Sequence, residues 1–259
     1  MVMSETSSTE VFLLALASYI MEYRLIAAIN IVATVLILWL LVKRYSNKVR
    51  TLAHIYFAVL SVYPIFLLGS HLMRSLRDID GLRERFFEQF GVTSLPEAML
   101  GQSSPPPQWV SSAIILAVFV LIVCIPILWI WDIKKKQTAY DYAGIPRWQK
   151  WLTVILIFYG LTYIHAMMFG WVLLGRFDIF LMFGLYPCPI NLTLVAILAP
   201  LVPRVNKPMY IAVCLMAIMG AFYNQTIGMS INLDALAVSP VGVYGLVMLW
   251  RSMRLKTTI

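Results

Sequence analysis

The chain has 259 residues, of which 61% are hydrophobic and 12% charged, and its mean hydropathy is +0.83. Soluble domains carry about a quarter charged residues, so this composition excludes an ordinary soluble domain and points to an integral membrane protein with room for six or seven spans of about 20 residues. The formal net charge of +8 has the sign that suits nucleic acid, but the basic residues sit beside apolar segments and form no nucleic-acid motif, so that class is excluded too.

Residues 1–10 are polar and acidic, without the basic stretch that opens a cleavable signal peptide. Residues 11–42 are apolar except around Glu22 and Arg24. As one helix they would extend about 48 Å, more than the ~30 Å hydrocarbon core of a bilayer requires. The segment is therefore expected to divide into a short interfacial helix over 11–21, a boundary at Glu22 and Arg24, and a first span over 25–42. Further spans are expected at 52–73, 109–131, 151–174, 179–202, 209–227 and 231–250, with the fifth broken at 187–189. Trp109, Trp131, Trp151 and Trp250 fall at span ends, where aromatic belts form. The fold class is thus all-α, a polytopic bundle of seven transmembrane helices in a single domain.

Charge sets the orientation. Lys43, Arg44, Lys48, Arg50, Lys134, Lys135, Lys136, Arg147, Lys150, Arg204, Lys207, Arg251, Arg254 and Lys256 fall on one side of this alternation, and Arg24, Arg74, Arg77, Arg83, Arg85 and Arg176 on the other. The acids run the opposite way, and the basic side holds only Asp132 and Asp141. The positive-inside rule then places the N-terminus outside and the C-terminus in the cytoplasm, in a cell's inner membrane. The Lys134-Lys135-Lys136 cluster reads as a stop-transfer signal that also attracts anionic headgroups.

The outer loop, 74–108, opens with an amphipathic pattern. At 100° per residue Leu76, Ile79, Leu82, Phe86, Phe87 and Phe90 share an arc of about 140°, with Arg74, Arg77, Asp78, Glu84, Arg85 and Glu88 opposite. Such a helix packs on its own bundle or docks a partner through Leu76, Ile79, Leu82, Phe86 and Phe90. Residues 101–107 (GQSSPPP) form a polar connector into the third span.

The most specific feature is Pro187-Cys188-Pro189 inside the fifth apolar run. A membrane helix must satisfy its amides internally, and each proline removes a donor and crowds the preceding turn, so the helix is expected to break here. Pro189 suits the first helical position, which makes Cys188 the N-cap of a helix over 189–202, with Asn191 able to cap from within. Cys188 then fills space at a helix start or takes a metal, redox or substrate role. His71, His165, Cys188, Asp178, Asn224 and Asp234 share the outer leaflet in this topology, and ionisable groups at membrane depth by default mark a site. The candidate cluster is Cys188, His165, His71, Pro187, Pro189 and Asp234. Cys188, His165 and His71 have the ligand types of copper or zinc, without a metal-binding spacing; no cofactor is predicted. Cys124 and Cys214 read as packing residues. His54 falls on the basic side, apart from this group. Gly220 with Ala217 and Ala221, and Ala166 with Gly170, offer small faces for close helix approach.

The stretch Phe183-Gly184-Leu185-Tyr186-Pro187-Cys188-Pro189, followed by a short apolar helix and two spans joined by Asn232-Leu233-Asp234, resembles an uncharacterised prokaryotic family of polytopic membrane proteins with a Phe-Gly-x-x-Pro-Cys-Pro element. The likeness is best over 183–247 and weaker near His71. It implies that Gly184, Pro187, Cys188 and Pro189 are motif positions, and it brings no known activity. The chain departs from the pattern at Ile190, where a small hydroxylated residue is common, and in the insert 74–108.

No Ser/His/Asp arrangement, phosphate-binding glycine loop or paired catalytic carboxylate is present in the pattern. The leading expectation is a subunit or accessory protein of a larger membrane complex, with the bilayer and other membrane subunits as partners and no nucleic acid. The alternatives are a small transporter or channel using the broken fifth helix, and a metal-binding or redox membrane enzyme at Cys188, His165 and His71.

Overall fold

The structure, a computed structural model, describes residues 8–77, 107–165, 168, 187–226 and 236–257, and among these there is no strand. Seven α-helices follow in order: α1 Ser8–Lys43, α2 Asn47–Arg77, α3 Gln108–Lys135, α4 Arg147–Thr162, α5 Pro187–Leu198, α6 Lys207–Thr226 and α7 Ser239–Thr257, with a 3-10 turn at Ala199–Leu201 after α5. The chain is all-α. Among the described residues, two segments are long and apolar enough to cross a membrane, Ile26–Lys43 and Trp109–Lys135.

Local chemistry explains where several helices start and stop. Ser46 precedes α2 and its Oγ accepts from the Val49 amide at 3.3 Å, an N-cap on one of the first-turn donors that a helix cannot satisfy by itself. Asn206 does the same for α6, its Oδ1 accepting from the Met209 amide at 3.2 Å. α3 ends where Lys136 turns left-handed, φ 53, and its N–H returns to the Asp132 carbonyl at 2.6 Å. After α5, Pro200 lies inside the 3-10 turn, and the following Val202–Pro203 peptide is cis.

Four sequence expectations change at this level. Residues 11–21 belong to α1 and do not form a separate helix; nothing between Ser8 and Lys43 breaks a helix, since Glu22 and Arg24 are polar yet good helix formers. The fourth expected span, 151–174, is interrupted at Tyr163, which closes α4 in the left-handed region at φ 46 with its N–H on the Tyr159 carbonyl. The helix after the proline pair already includes Pro187 and stops at Leu198, so Cys188 is helical and is not the cap. The last helix runs 239–257, later than the expected 231–250. The loop residues Ile79, Leu82, Phe86 and Phe90 lie outside the described residues, and Leu76 falls on the last turn of α2.

The helices alternate in direction. α2 packs on α3, α3 on α6, α6 on α7, and α5 sits against α2, α4, α6 and α7, while α1 leans chiefly on α2. Close contacts define the crossings. A Cβ at Gly160 of α4 would overlap Thr193 Oγ1 and lie 2.9 Å from Leu192 Cδ2 on α5. On α7, a Cβ at Gly242 would lie 2.6 Å from the Cys214 carbonyl and 3.2 Å from Ala217 Cβ, and one at Gly245 would lie 2.5 Å from Cys214 Sγ and 2.9 Å from the Tyr210 hydroxyl. Glycine lets these backbones approach where any side chain would hold them apart. Ala217 and Gly220, expected from sequence to form a small face, serve two neighbours: Ala217 meets α7, and Gly220 leaves room for Cys188 Sγ of α5.

α5 is the centre of the bundle. All residues from Pro189 to Leu201 are buried, and Leu192, Leu194, Val195, Ile197 and Leu198 are fully enclosed. The outer faces of other helices are apolar as well. On α1, Ile29, Val32, Leu36 and Trp39 are exposed at helical spacing, and on α4 Trp148, Trp151, Ile155 and Phe158 form a similar ridge, with Trp151 67% exposed. A helix apolar on both its inward and outward sides is the pattern of a membrane span.

The α4–α5 crossing yields a direct test. Gly160→Ala is expected to destabilise the protein by about 1–3 kcal/mol, the usual cost of overpacking a filled contact, read as a lower Tm by intrinsic fluorescence in detergent. Adding Thr193→Ala should recover part of this loss, since it removes the nearest atom but leaves Leu192 Cδ2 and the Thr193 amide in place.

Candidate functional site

A connected set of the described polar groups lies at the end of the bundle that carries the basic residues. Here the start of α2, the end of α3, the α3–α4 connection and the start of α6 meet. The two connections are joined directly. The Ala139 amide donates to the Arg204 carbonyl at 2.9 Å, and the Asn206 amide to Thr138 Oγ1 at 3.0 Å. The Arg204 guanidinium donates to the Asp141 carboxylate at 3.3 Å and to its carbonyl at 3.0 Å. Tyr142 adds a bond from its hydroxyl to the Ile197 carbonyl at 3.1 Å. Asp141 also accepts from the Ala143 amide at 2.9 Å, shaping the turn that Gly144 completes at φ 75.

Behind this surface lies a buried histidine–aspartate pair. Asp132 is 0% and His54 2% exposed, and Asp132 Oδ2 is 3.3 Å from His54 Nδ1. The other carboxylate oxygen, Oδ1, accepts from the Gln137 and Thr138 amides at 3.2 Å each. Asp132 thus turns the chain out of α3 with its backbone carbonyl and its side chain together. The Tyr140 hydroxyl lies 3.4 Å from the same His54 nitrogen. Three aromatic rings enclose the imidazole region: Tyr140 edge-on at 4.8 Å, Trp129 edge-on at 6.2 Å, and Phe57, which contacts both Trp129 and Tyr140.

The electrostatics follow from the donor inventory. A carboxylate accepts only, so the favourable histidine tautomer beside it carries its proton on Nδ1 and leaves Nε2 as an acceptor. Burial pushes the Tyr140 phenol well above its ordinary range, and the nearby Tyr142 and Asp132 add to the shift. Tyr140 therefore stays a neutral hydroxyl beside the pair. The arrangement offers an oriented base in an enclosed site.

The residues expected from sequence that the structure describes lie elsewhere. Pro187, Cys188 and Pro189 lie on α5; Cys188 is half-buried, with Sγ beside Gly220, and the Pro189 carbonyl accepts from Thr193 Oγ1 at 2.9 Å. His165 follows the Tyr163 turn, where its ring stacks on Tyr159 at 5.5 Å, meets Tyr163 edge-on at 4.3 Å and bonds the Tyr159 hydroxyl through Nδ1. Two tyrosines hold His165, which closes the end of α4. His71 falls on α2, but its side chain lies outside the described residues, as does Asp234. Among the described residues no three His, Cys, Asp or Glu side chains group as metal ligands. Cys214 is buried against Tyr210 and Gly245, and Cys124 is half-buried.

The pair His54–Asp132 was not legible as a site from spacing, because 78 positions separate its members. One signal was present. Asp132 and Asp141 are the two acids on the basic side, and each proves to have a specific partner, His54 for one and Arg204 for the other.

Removing one member of a buried pair strands the other, which typically costs about 3–5 kcal/mol. Asp132→Ala is therefore expected to lower stability by that amount, and Asp132→Asn by less, because an amide oxygen still accepts from the Gln137 and Thr138 amides; thermal unfolding in detergent measures both. The Tyr140 phenol gives a pH effect of known sign. Unfolded tyrosine ionises near pH 10 and folded Tyr140 above it, so stability should fall as pH rises past about 10. Tyr140→Phe should flatten that fall.

No protein-family model, curated protein or solved structure matches the chain.

Proposed function

We propose that the chain is a multi-pass protein of a cell's inner membrane, in which all seven helices cross or enter the bilayer, with the N-terminus outside and the C-terminus in the cytoplasm, and that it serves as a non-catalytic subunit or accessory protein of a larger membrane complex. The alternating helix directions support the topology. Lys43 and Lys48, Lys134 to Lys136, Arg147, Arg204 and Lys207 lie on helix ends and connections at one end of the bundle, as the positive-inside rule requires for a cytoplasmic face. By its Phe183-Gly184-Leu185-Tyr186-Pro187-Cys188-Pro189 element, we place the chain in the membrane family that it resembles.

The observation that carries the subunit reading is the packing of α5. A transporter built on the broken fifth segment needs polar space at the Pro-Cys-Pro turn, whereas residues 189–201 are buried without interruption in mainly apolar contacts. A solid centre with apolar outer ridges on α1 and α4 is the make-up of a scaffold that other membrane helices or lipid surround. The sequence pattern over 74–90, which would set Leu76, Ile79, Leu82, Phe86 and Phe90 on one helical face, is the docking element that this reading assigns to such a partner.

Native purification in mild detergent followed by mass spectrometry tests the reading. A reproducible, stoichiometric set of membrane partners is expected, and substitution of Phe86 and Phe90 by Ser should reduce their recovery; a solitary monodisperse protein would overturn the subunit assignment. Topology is checked separately: green fluorescent protein fused after Ile259 should fluoresce, and alkaline phosphatase inserted within 91–100 should be active.

A further inference from the structure

Four buried side-chain atoms at the basic end have no hydrogen-bond partner within the protein: His54 Nε2, Trp129 Nε1, Asp132 Oδ2 and Asn206 Nδ2. They belong to one cluster. Trp129 lies edge-on to His54, Asp132 Oδ2 lies 3.3 Å from His54 Nδ1, and Asn206 is tied through Thr138 Oγ1 to the residue whose amide donates to Asp132. All four residues are at most 2% exposed.

Their orientations are fixed by bonds already made. Asn206 Oδ1 accepts from the Met209 amide, so the amide cannot be turned to present an acceptor in place of Nδ2. Asp132 Oδ1 holds two backbone amides, so Oδ2 remains the one directed at the histidine. Trp129 Nε1 and Asn206 Nδ2 can only donate, Asp132 Oδ2 can only accept, and His54 Nε2 accepts when Nδ1 carries the proton. The groups are complementary in kind, yet they do not meet. Each left unpaired would cost about 1–3 kcal/mol. A small molecule with both donors and acceptors resolves all four, whereas an anion would face Asp132 and a cation would face the two N–H donors with no third acidic, imidazole or thiol ligand among the described residues.

We infer that this cluster is a built internal water site, in which ordered water molecules donate to His54 Nε2 and Asp132 Oδ2 and accept from Trp129 Nε1 and Asn206 Nδ2. Buried waters occur where two to four polar partners converge in an otherwise closed interior, and a bridged bond is nearly as favourable as a direct one. The water completes the histidine–aspartate pair and makes His54 the hydrated base of the bundle. This holds whether or not the chain is a complex subunit.

X-ray radiolytic labelling of the purified full chain in detergent, prepared in oxygen-18 water, tests the site by mass spectrometry. Ordered water generates hydroxyl radicals where it is bound, so a buried side chain beside it is oxidised. Tyr140 and Tyr210 are the same residue type and both fully buried, but only Tyr140 adjoins the cluster. Tyr140 is expected to take up label several-fold faster than Tyr210, with Trp129 labelled alongside. Trp129→Phe, which keeps an aromatic ring and deletes one donor, should slow the labelling of Tyr140. Equal rates at Tyr140 and Tyr210 in the unsubstituted protein would overturn the inference, without bearing on the partners found by purification.

Discussion

A carboxylate with no solvent exposure must find partners for both oxygens, and the architecture of the basic end follows from how Asp132 does so. One oxygen takes the amides of Gln137 and Thr138, which forces the chain to reverse directly after α3. The other faces His54, which draws the start of α2 against the end of α3. With the reversal in place, Thr138 and Ala139 are presented to Asn206 and Arg204, and Asn206 in turn caps α6. Three helix ends are thereby located by one side chain and its neighbours. Replacing the pair by apolar residues of similar volume would remove its desolvation penalty; what the pair supplies in return is the direction of the connection.

The opposite requirement governs the middle of the bundle. α5 has no charged residue and is enclosed on every side, so it can contribute only contact. Contact at this density requires small residues on the neighbours, and Gly160, Gly242 and Gly245 provide the crossings with α5 and between α6 and α7. Dispersion forces fall steeply with separation, so a gap of an ångström at these crossings would forfeit much of the attraction. Between apolar helices in lipid this close packing is the main source of association, because the surroundings are as apolar as the helices.

The two ends of the molecule differ in what they ask of their histidines. His165 lies among Tyr159 and Tyr163, where ring contacts and a phenol satisfy it and the left-handed Tyr163 sets its position. His54 faces a carboxylate and keeps one nitrogen unpaired by protein. Two imidazoles of the same chain are therefore held for different ends: the first closes a helix, the second retains an acceptor.

Composition and hydropathy by themselves determined the helical class, the approximate position of most helices and the segregation of basic residues to alternate connections, because these depend on local apolar runs and on charges next to them. The breaks were partly legible. Prolines at 187 and 189 announced an irregularity in the fifth segment but did not show that Pro187 is already helical; the stop at Tyr163 has no glycine or proline at the left-handed position itself, and there the aromatic contacts of His165 accompany a backbone turn that tyrosine rarely adopts. The His54–Asp132 pair lay beyond sequence reading because it joins residues from two helices whose relative placement depends on packing over the whole bundle. Only tertiary structure decided it, and the physical reason is that a buried charge selects its partner by distance in space, to which separation along the chain gives no guide.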